Sequence, residues 1–186
     1  SVSLSAMQNL AALLTQKGNF VEAEEIYLNL IKIGKNNNKE NSVSFARVLN
    51  NLAVLYKKQC KYDIAYPYIS KAINIWKNLS SSDYSNYAAA FHNQGELFKA
   101  QGKYILAIES FKNGLGILDI SIDDFYEQYI EQSYSLINLY LKMAKKEEAK
   151  KLLDITNNIR SDKGKTNITL DNLPEEIYEE CSSSNI

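Results

Sequence analysis

The sequence predicts an all-α array of stacked helix pairs, and three observations carry that prediction. Ala23, Ala65, Ala107 and Ala149 fall 42 residues apart. The aromatics Phe20, Tyr62 and Tyr104 and the residues Gly18, Cys60 and Gly102 keep the same interval. Leu13, Leu55, Leu97 and Leu139 repeat with them, followed at once by Leu14, Tyr56, Phe98 and Tyr140. A fixed period of this length marks one supersecondary unit repeated in a stack, each copy burying its apolar face against the next.

Each unit divides into two helices. In the second unit Val48, Leu49, Leu52, Ala53, Leu55 and Tyr56 recur at helical spacing,. Gln59-Cys60-Lys61 breaks that stripe. A second stripe follows in Ile64, Ala65, Tyr68, Ile69, Ala72, Ile73 and Ile75. Gly18 and Gly102 supply the left-handed conformation that closes a first helix. The alanine five residues on is small because two helix backbones approach there. First helices are expected near 3–17, 44–59, 84–101 and 124–143, with partners near 20–35, 62–79, 104–119 and 146–160. The units are then about 3–42, 43–83, 84–123 and 124–160. Ser82 or Asp83 is placed to cap the third first helix. The fourth unit is degenerate, with Ala144 and Lys146 in the turn and aromatic slots. Residues 161–172 read as a linker. A short acidic helix is expected over 173–182, with Pro174 in its first turn.

Composition bounds the function. Of 186 residues 45% are apolar, enough for a sizeable core,. The 21 basic and 22 acidic residues nearly cancel, so no general affinity for nucleic acid or membrane follows. No apolar run approaches the roughly 18 residues of a membrane span. The chain opens almost directly into a repeat, as an excised fragment would. Two cysteines 121 positions apart are read as free thiols in a reducing, cytoplasmic setting,.

Small residues at the eighth and twentieth positions of the first three units, with an aromatic in the turn and in the second helix, resemble the tetratricopeptide repeat. That repeat is usually about 34 residues long; the 42-residue form lengthens both helices. Asn50-Asn51-Leu52-Ala53-Val54-Leu55-Tyr56 and Gln101-Gly102-Lys103-Tyr104 are similar to the repeats of kinesin light chains, as is Asp83-Tyr84. The resemblance implies a right-handed superhelix whose first helices line a concave, peptide-binding face.

With Ala23 as the twentieth residue, position six is Asn9, Asn51, Asn93 and then Ser135. A carboxamide offers two donors and an acceptor, so a ladder of them suits a peptide backbone of any sequence. The other reading is that these asparagines bond neighbouring helices or water. The remaining inner positions include Arg47, Asn50, Val54, Lys57 and Lys58, then Ala89, His92, Glu96, Lys99 and Ala100. Glu131, Tyr134, Asn138, Leu141 and Lys142 follow in the fourth unit. Basic residues outnumber acidic ones there, which suits an acidic peptide; the other reading is an ordinary solvated face with its usual lysines. The candidate peptide-binding set is thus Asn9, Arg47, Asn50, Asn51, Lys57, Lys58, His92, Asn93, Lys99 and Asn138. Co-chaperone grooves that grip a C-terminal carboxylate need Lys and Asn at positions five and nine, Asn at six of the next unit and Lys and Arg at two and six of the third. This chain offers Gln8, Ala12, Asn51, Ala89 and Asn93, or Asn50, Val54, Asn93, Glu131 and Ser135, so that ligand does not fit.

Chemistry finds no foothold. His92 is the only histidine, so no zinc quartet of the usual kind forms, and His92 with Glu96 is at best two ligands. Gly114 and Gly116 lie in a helix pattern and read as close-packing sites, not a phosphate loop. No cofactor is expected. The 13 tyrosines and six phenylalanines suit helix stacking better than base stacking. The reading is a non-enzymatic adaptor, with three alternatives. One is a scaffold using its convex face, another is self-association through the C-terminal tail, and the third is a regulatory domain of a longer enzyme. The tail from Asp171 to Ile186 carries five acidic residues and no basic one. It reads either as a cap on the last unit or as an internal mimic of an acidic ligand.

Overall fold

The computed structural model describes residues 3–79 and 83–174. The described residues are all-α. The helices run α1 (Leu4–Gln16), α2 (Phe20–Asn36), α3 (Val43–Lys58), α4 (Tyr62–Leu79), α5 (Tyr84–Ala100), α6 (Tyr104–Leu118), α7 (Tyr126–Lys142) and α8 (Lys146–Asp162), with 3-10 turns at Asp119–Ser121 and Leu170–Asn172. Neighbours pack as the pairs α1–α2, α3–α4, α5–α6 and α7–α8, and each second helix lies on the next first helix. First helices also touch each other, α1 with α3 and α3 with α5. They therefore form the tighter, inner layer.

The 42-residue period is written into the backbone. Gly18, Cys60, Gly102 and Ala144 all take positive φ, at 81°, 58°, 72° and 57°. After each, one N–H reaches back across the helix end: Asn19 to the Leu14 carbonyl at 2.9 Å, Lys61 to Tyr56 at 2.9 Å, Lys103 to Phe98 at 2.9 Å and Lys145 to Tyr140 at 2.8 Å. This cap satisfies carbonyls that the helix leaves over. Glycine takes the left-handed conformation freely, whereas a residue with a Cβ is strained there by roughly 1–2 kcal/mol. Ala144→Gly is therefore expected to stabilise the protein by about 0.5–1 kcal/mol, net of glycine's greater unfolded-state entropy. Urea unfolding checks this, and a loss of stability would contradict it. Cys60 fills the turn slot between α3 and α4 with a positive φ. Cys181, the only other cysteine in the chain, lies outside the described residues.

Small residues sit where helices cross. Ala23, Ala65, Ala107 and Ala149 are each 0% exposed. At the eighth position Ala11, Ala53 and Gly95 are buried, and Ile137 takes the slot in the fourth unit. The two glycines of α6 part company. A Cβ on Gly114 would stand 2.8 Å from Gln132 Oε1 and 3.1 Å from the Ala88 carbonyl oxygen, so close packing requires glycine there. Gly116 is exposed and would meet nothing within 4 Å, which corrects the close-packing reading for that residue.

Ser3 and Ser42 cap α1 and α3, accepting from the N–H groups of Ala6 and Phe45. Asp83 stands at the start of α5, yet its side chain makes no cap bond there. It turns inward to the residues described below. Ser82 lies outside the described residues.

The C-terminal segment departs from the sequence reading. The helix α8 extends to Asp162 and closes on Gly164, at φ 68°, with the Lys165 N–H on the Arg160 carbonyl at 2.9 Å. The chain then runs back along α8 as a strap. Asn157 Nδ2 donates to the Ile168 carbonyl at 2.8 Å, and Ile168 N–H donates to Asn157 Oδ1 at 3.0 Å. Arg160 donates to the Thr166 carbonyl and to the Tyr134 hydroxyl. Ile168, Leu170 and Leu173 pack against the core. The stretch read as linker is thus tied down by side chains of α8, a pairing no local pattern announces. Leu173 is extended; positions 175–182 of the expected acidic helix lie outside the described residues.

Candidate functional site

The inner face is carried by α1, α3, α5 and α7. Helical spacing projects the sixth position of each unit onto one layer, and the structure gives these asparagines different surroundings. Asn9 is exposed on α1. Asn51 is half-buried on α3, near the Tyr27 side chain of α2, and Thr15 lies near that tyrosine too. Burial raises the Tyr27 pKa, and the neighbouring Thr15 and Asn51 side chains only partly oppose it. Asn93, on α5, donates from Nδ2 to Asn50 Oδ1 at 3.3 Å, and Asn50 is 7% exposed. The structure thus joins Asn50 and Asn93 as one rung between α3 and α5. Asn138 and Ser135 are half-buried on α7.

Arg47 spans two units. Its Nε and Nη2 donate to the two carboxylate oxygens of Asp83, each at 3.0 Å. Asp83 also accepts from Trp76 Nε1 at 3.2 Å and from Asn86 Nδ2 at 2.8 Å. Burial alone would raise the Asp83 pKa. The hydrogen bonds of Arg47, Asn86 and Trp76, with the Arg47 charge, together hold it below the usual carboxylate value. One carboxylate so clamps α3, α4 and α5. Pattern reading placed Asp83 as a cap and Arg47 as a ligand contact, because partners 36 residues apart leave no local trace.

The basic cluster lies further along the same face. Lys57 and Lys58 end α3 and are half-buried. His92, on α5, packs its ring against Phe111 with centroids 5.2 Å apart, and its Nδ1 is buried without a hydrogen-bond partner. Burial pushes the imidazole pKa down to about 4; Glu96 opposes that, while the charges of Lys57 and Lys99 reinforce it. Lys99 Nζ pairs with Glu96 Oε1 at 2.8 Å, with only 9% of the lysine side chain exposed. Two cations from successive first helices thus act on one neutral ring.

Other contacts were invisible to periodicity. The Tyr56 hydroxyl donates to Glu24 Oε1 at 2.7 Å, and burial together with that carboxylate holds the phenol well above its ordinary range. Ser85 and Gln128 exchange two hydrogen bonds of 2.8 Å between α5 and α7. Among the described residues, no group of three or more His, Cys, Asp or Glu is placed to hold a metal ion. No helix of the described residues is long and apolar enough to cross a membrane. A cavity of 430 Å³ lies between the Asp119–Asp123 turn and the end of α8, where Lys163 pairs with Asp123 at 2.6 Å.

This architecture is that of a helical-repeat interaction module. Residues 3–41 and 44–119 match the tetratricopeptide repeat family, and the chain belongs to it. No curated protein sequence matches the chain. Solved structures share its fold at low identity. BtubC (BKLC) from P. vanneervenii superposes with a TM-score of 0.78 at 21% identity, over 89% of this chain and 66% of that one. A kinesin light chain-type protein of Podosopora anserina, built from nearly identical TPR-like repeats, gives 0.74 at 19% identity, over 86% and 75%. A Rap protein complexed with Competence and Sporulation Factor gives 0.73 at 16% identity, over 86% and 43%. The chain therefore spans between 43% and 75% of the length of these three.

Proposed function

We propose that this chain is a non-enzymatic adaptor that binds an acidic peptide on its inner helix face, in the manner of a light-chain groove. The observation that carries the reading is the placement of half-buried Lys57 and Lys58 at the end of α3, the first helix that also supplies Asn50 to the Asn50–Asn93 rung. A concave, poorly solvated wall strengthens the field of such charges and attracts carboxylates. Asn93 gives one N–H to Asn50. A carboxamide has a second N–H and an oxygen, which suit a peptide backbone laid across the rung. Arg47 serves the fold through Asp83 and contributes only its half-exposed edge.

Fluorescence polarisation with acidic peptides carrying a Trp, Tyr or Leu anchor tests this. Lys57→Gln combined with Lys58→Gln is expected to weaken binding at least about tenfold, which corresponds to roughly 1.4 kcal/mol. Wild-type affinity is expected to fall as salt rises. Equal affinity of variant and wild type, or binding indifferent to salt, would overturn the proposal. A second reading, a scaffold packing through its second helices, draws support from exposed Ile64 and Tyr66 on α4 and Ile105 and Leu106 on α6. That mode is apolar and insensitive to salt.

A further inference from the structure

Cys60 occupies a turn slot that has no need of sulfur. Its φ of 58° is the left-handed conformation that Gly18 and Gly102 adopt in the same slot without strain,. The residue is half-buried and stands just past Lys57 and Lys58, at the inner-face end of α3.

The other cysteine closes an acidic run. Glu175, Glu176, Glu179 and Glu180 flank Ile177 and Tyr178, Cys181 follows at once, and no basic residue comes after Lys165. Residues 175–186 lie outside the described residues, and the strap sets their starting point. Arg160 donates both to the Thr166 carbonyl of the strap and to the hydroxyl of Tyr134, an inner-face position of α7. Leu173 packs against the core with an extended backbone. From there α7, α5 and α3 lie side by side, joined by Gln128 with Ser85 and by Asn93 with Asn50. Helices packed about 10 Å apart put α3 about 20 Å from α7. The eight residues from Leu173 to Cys181 span up to about 27 Å when extended.

We propose that Cys60 and Cys181 form a disulfide that fastens the acidic segment 175–180 across the inner face, its glutamates against Lys142 and the Lys57–Lys58 end of α3. Charge complementarity selects this occupant, and its tether gives it an effective concentration that a free peptide does not reach. The two cysteines then act as a pair, where their spacing in the sequence suggests separate thiols. The oxidant is a low-molecular-weight disulfide such as glutathione disulfide. One cysteine thiolate attacks it, releasing one glutathione thiolate and leaving a mixed disulfide; the second cysteine thiolate displaces the other glutathione. Two electrons pass to the glutathione pair, and the two cysteines give up their protons. The consequence for binding rests on the reading of the inner face as an acidic-peptide site: the closed latch occupies that site and reduction opens it.

Equilibrating the 186-residue chain with glutathione buffers of graded ratio tests the latch. The oxidised product is expected to be a monomer lighter by two hydrogens, from which proteolysis releases the Cys60 and Cys181 peptides joined. Combining Glu175→Gln, Glu176→Gln, Glu179→Gln and Glu180→Gln should lower the effective concentration of the two thiols, read from the same titration, at least about tenfold. Reduction should tighten binding of an acidic, aromatic-anchored peptide at least about tenfold, and Cys181→Ser should do the same without reductant. Two alkylatable thiols at every ratio, a disulfide between chains, an effective concentration unmoved by the glutamine changes, or equal peptide affinity in both redox states would overturn the proposal. Closure that depends on the glutamates, with no peptide bound in either state, would sustain the latch and count against the adaptor reading.

Discussion

Replacing Gly95 with valine is expected to destabilise the protein by about 3 kcal/mol, the upper range for overpacking a core. Gly95 holds the eighth-position slot of α5. A Cβ there would stand 2.6 Å from both Cδ1 and Cε1 of Phe111. Phe111 is 0% exposed, so its ring has no open side into which to move, and any displacement also disturbs His92 stacked on it. The intrinsic gain of replacing a helical glycine is at most about 1 kcal/mol and does not offset the clash. Gly116→Ala in α6 isolates that gain, because its Cβ would meet nothing within 4 Å. The melting temperature should drop by roughly 6–12 °C for Gly95→Val and rise slightly for Gly116→Ala. Equal shifts in the two variants would mean that the α5–α6 contact is looser than described.

The second large effect is a loss of stability between neutral and mildly acidic pH, driven by His92. Burial holds its folded pKa near 4, below the ordinary value of 6.5. Between those values the unfolded chain binds a proton that the folded chain refuses, so stability rises with pH across the window. The contribution is fully present above about pH 6.5 and is lost as pH falls toward 4, by on the order of 2–3 kcal/mol. The charged groups that act on the ring are Glu96, which favours protonation, and Lys57 and Lys99, which disfavour it. The Asp83 carboxylate, held below its ordinary pKa, contributes stability that is lost only at lower pH. Urea unfolding at a series of pH values should therefore show a slope between pH 6.5 and 4 that His92→Gln removes. A slope unchanged in that variant would place the titrating group elsewhere.

The fold was legible because it is periodic. Alanines every 42 residues report helix crossings that recur with the same geometry. The turn slot at Gly18 and Gly102 betrays a left-handed residue, and that geometry persists at Cys60 and Ala144, where the residue type does not announce it. The strap over α8 was not legible, since Asn157 and Arg160 bond backbone atoms of a polar segment that looks unstructured locally. The inner face was legible as a set of positions and not as a set of roles. Counting brings Asn50, Asn51, His92 and Asn93 to one layer. It does not say that Asn50 and Asn93 bond each other, that Asn51 lies near Tyr27, or that Arg47 is committed to Asp83. Those contacts connect different units, and their partners are chosen by the stacking.

The most direct test of the adaptor reading is to follow backbone amide shifts of the labelled protein during titration with an acidic, aromatic-anchored peptide. The account predicts saturable shifts concentrated on the inner helices, at Asn51, Lys57, His92, Asn93 and Asn138. Shifts confined to the outer helices around Ile64 and Ile105, or no shifts with any peptide of that class, would contradict it.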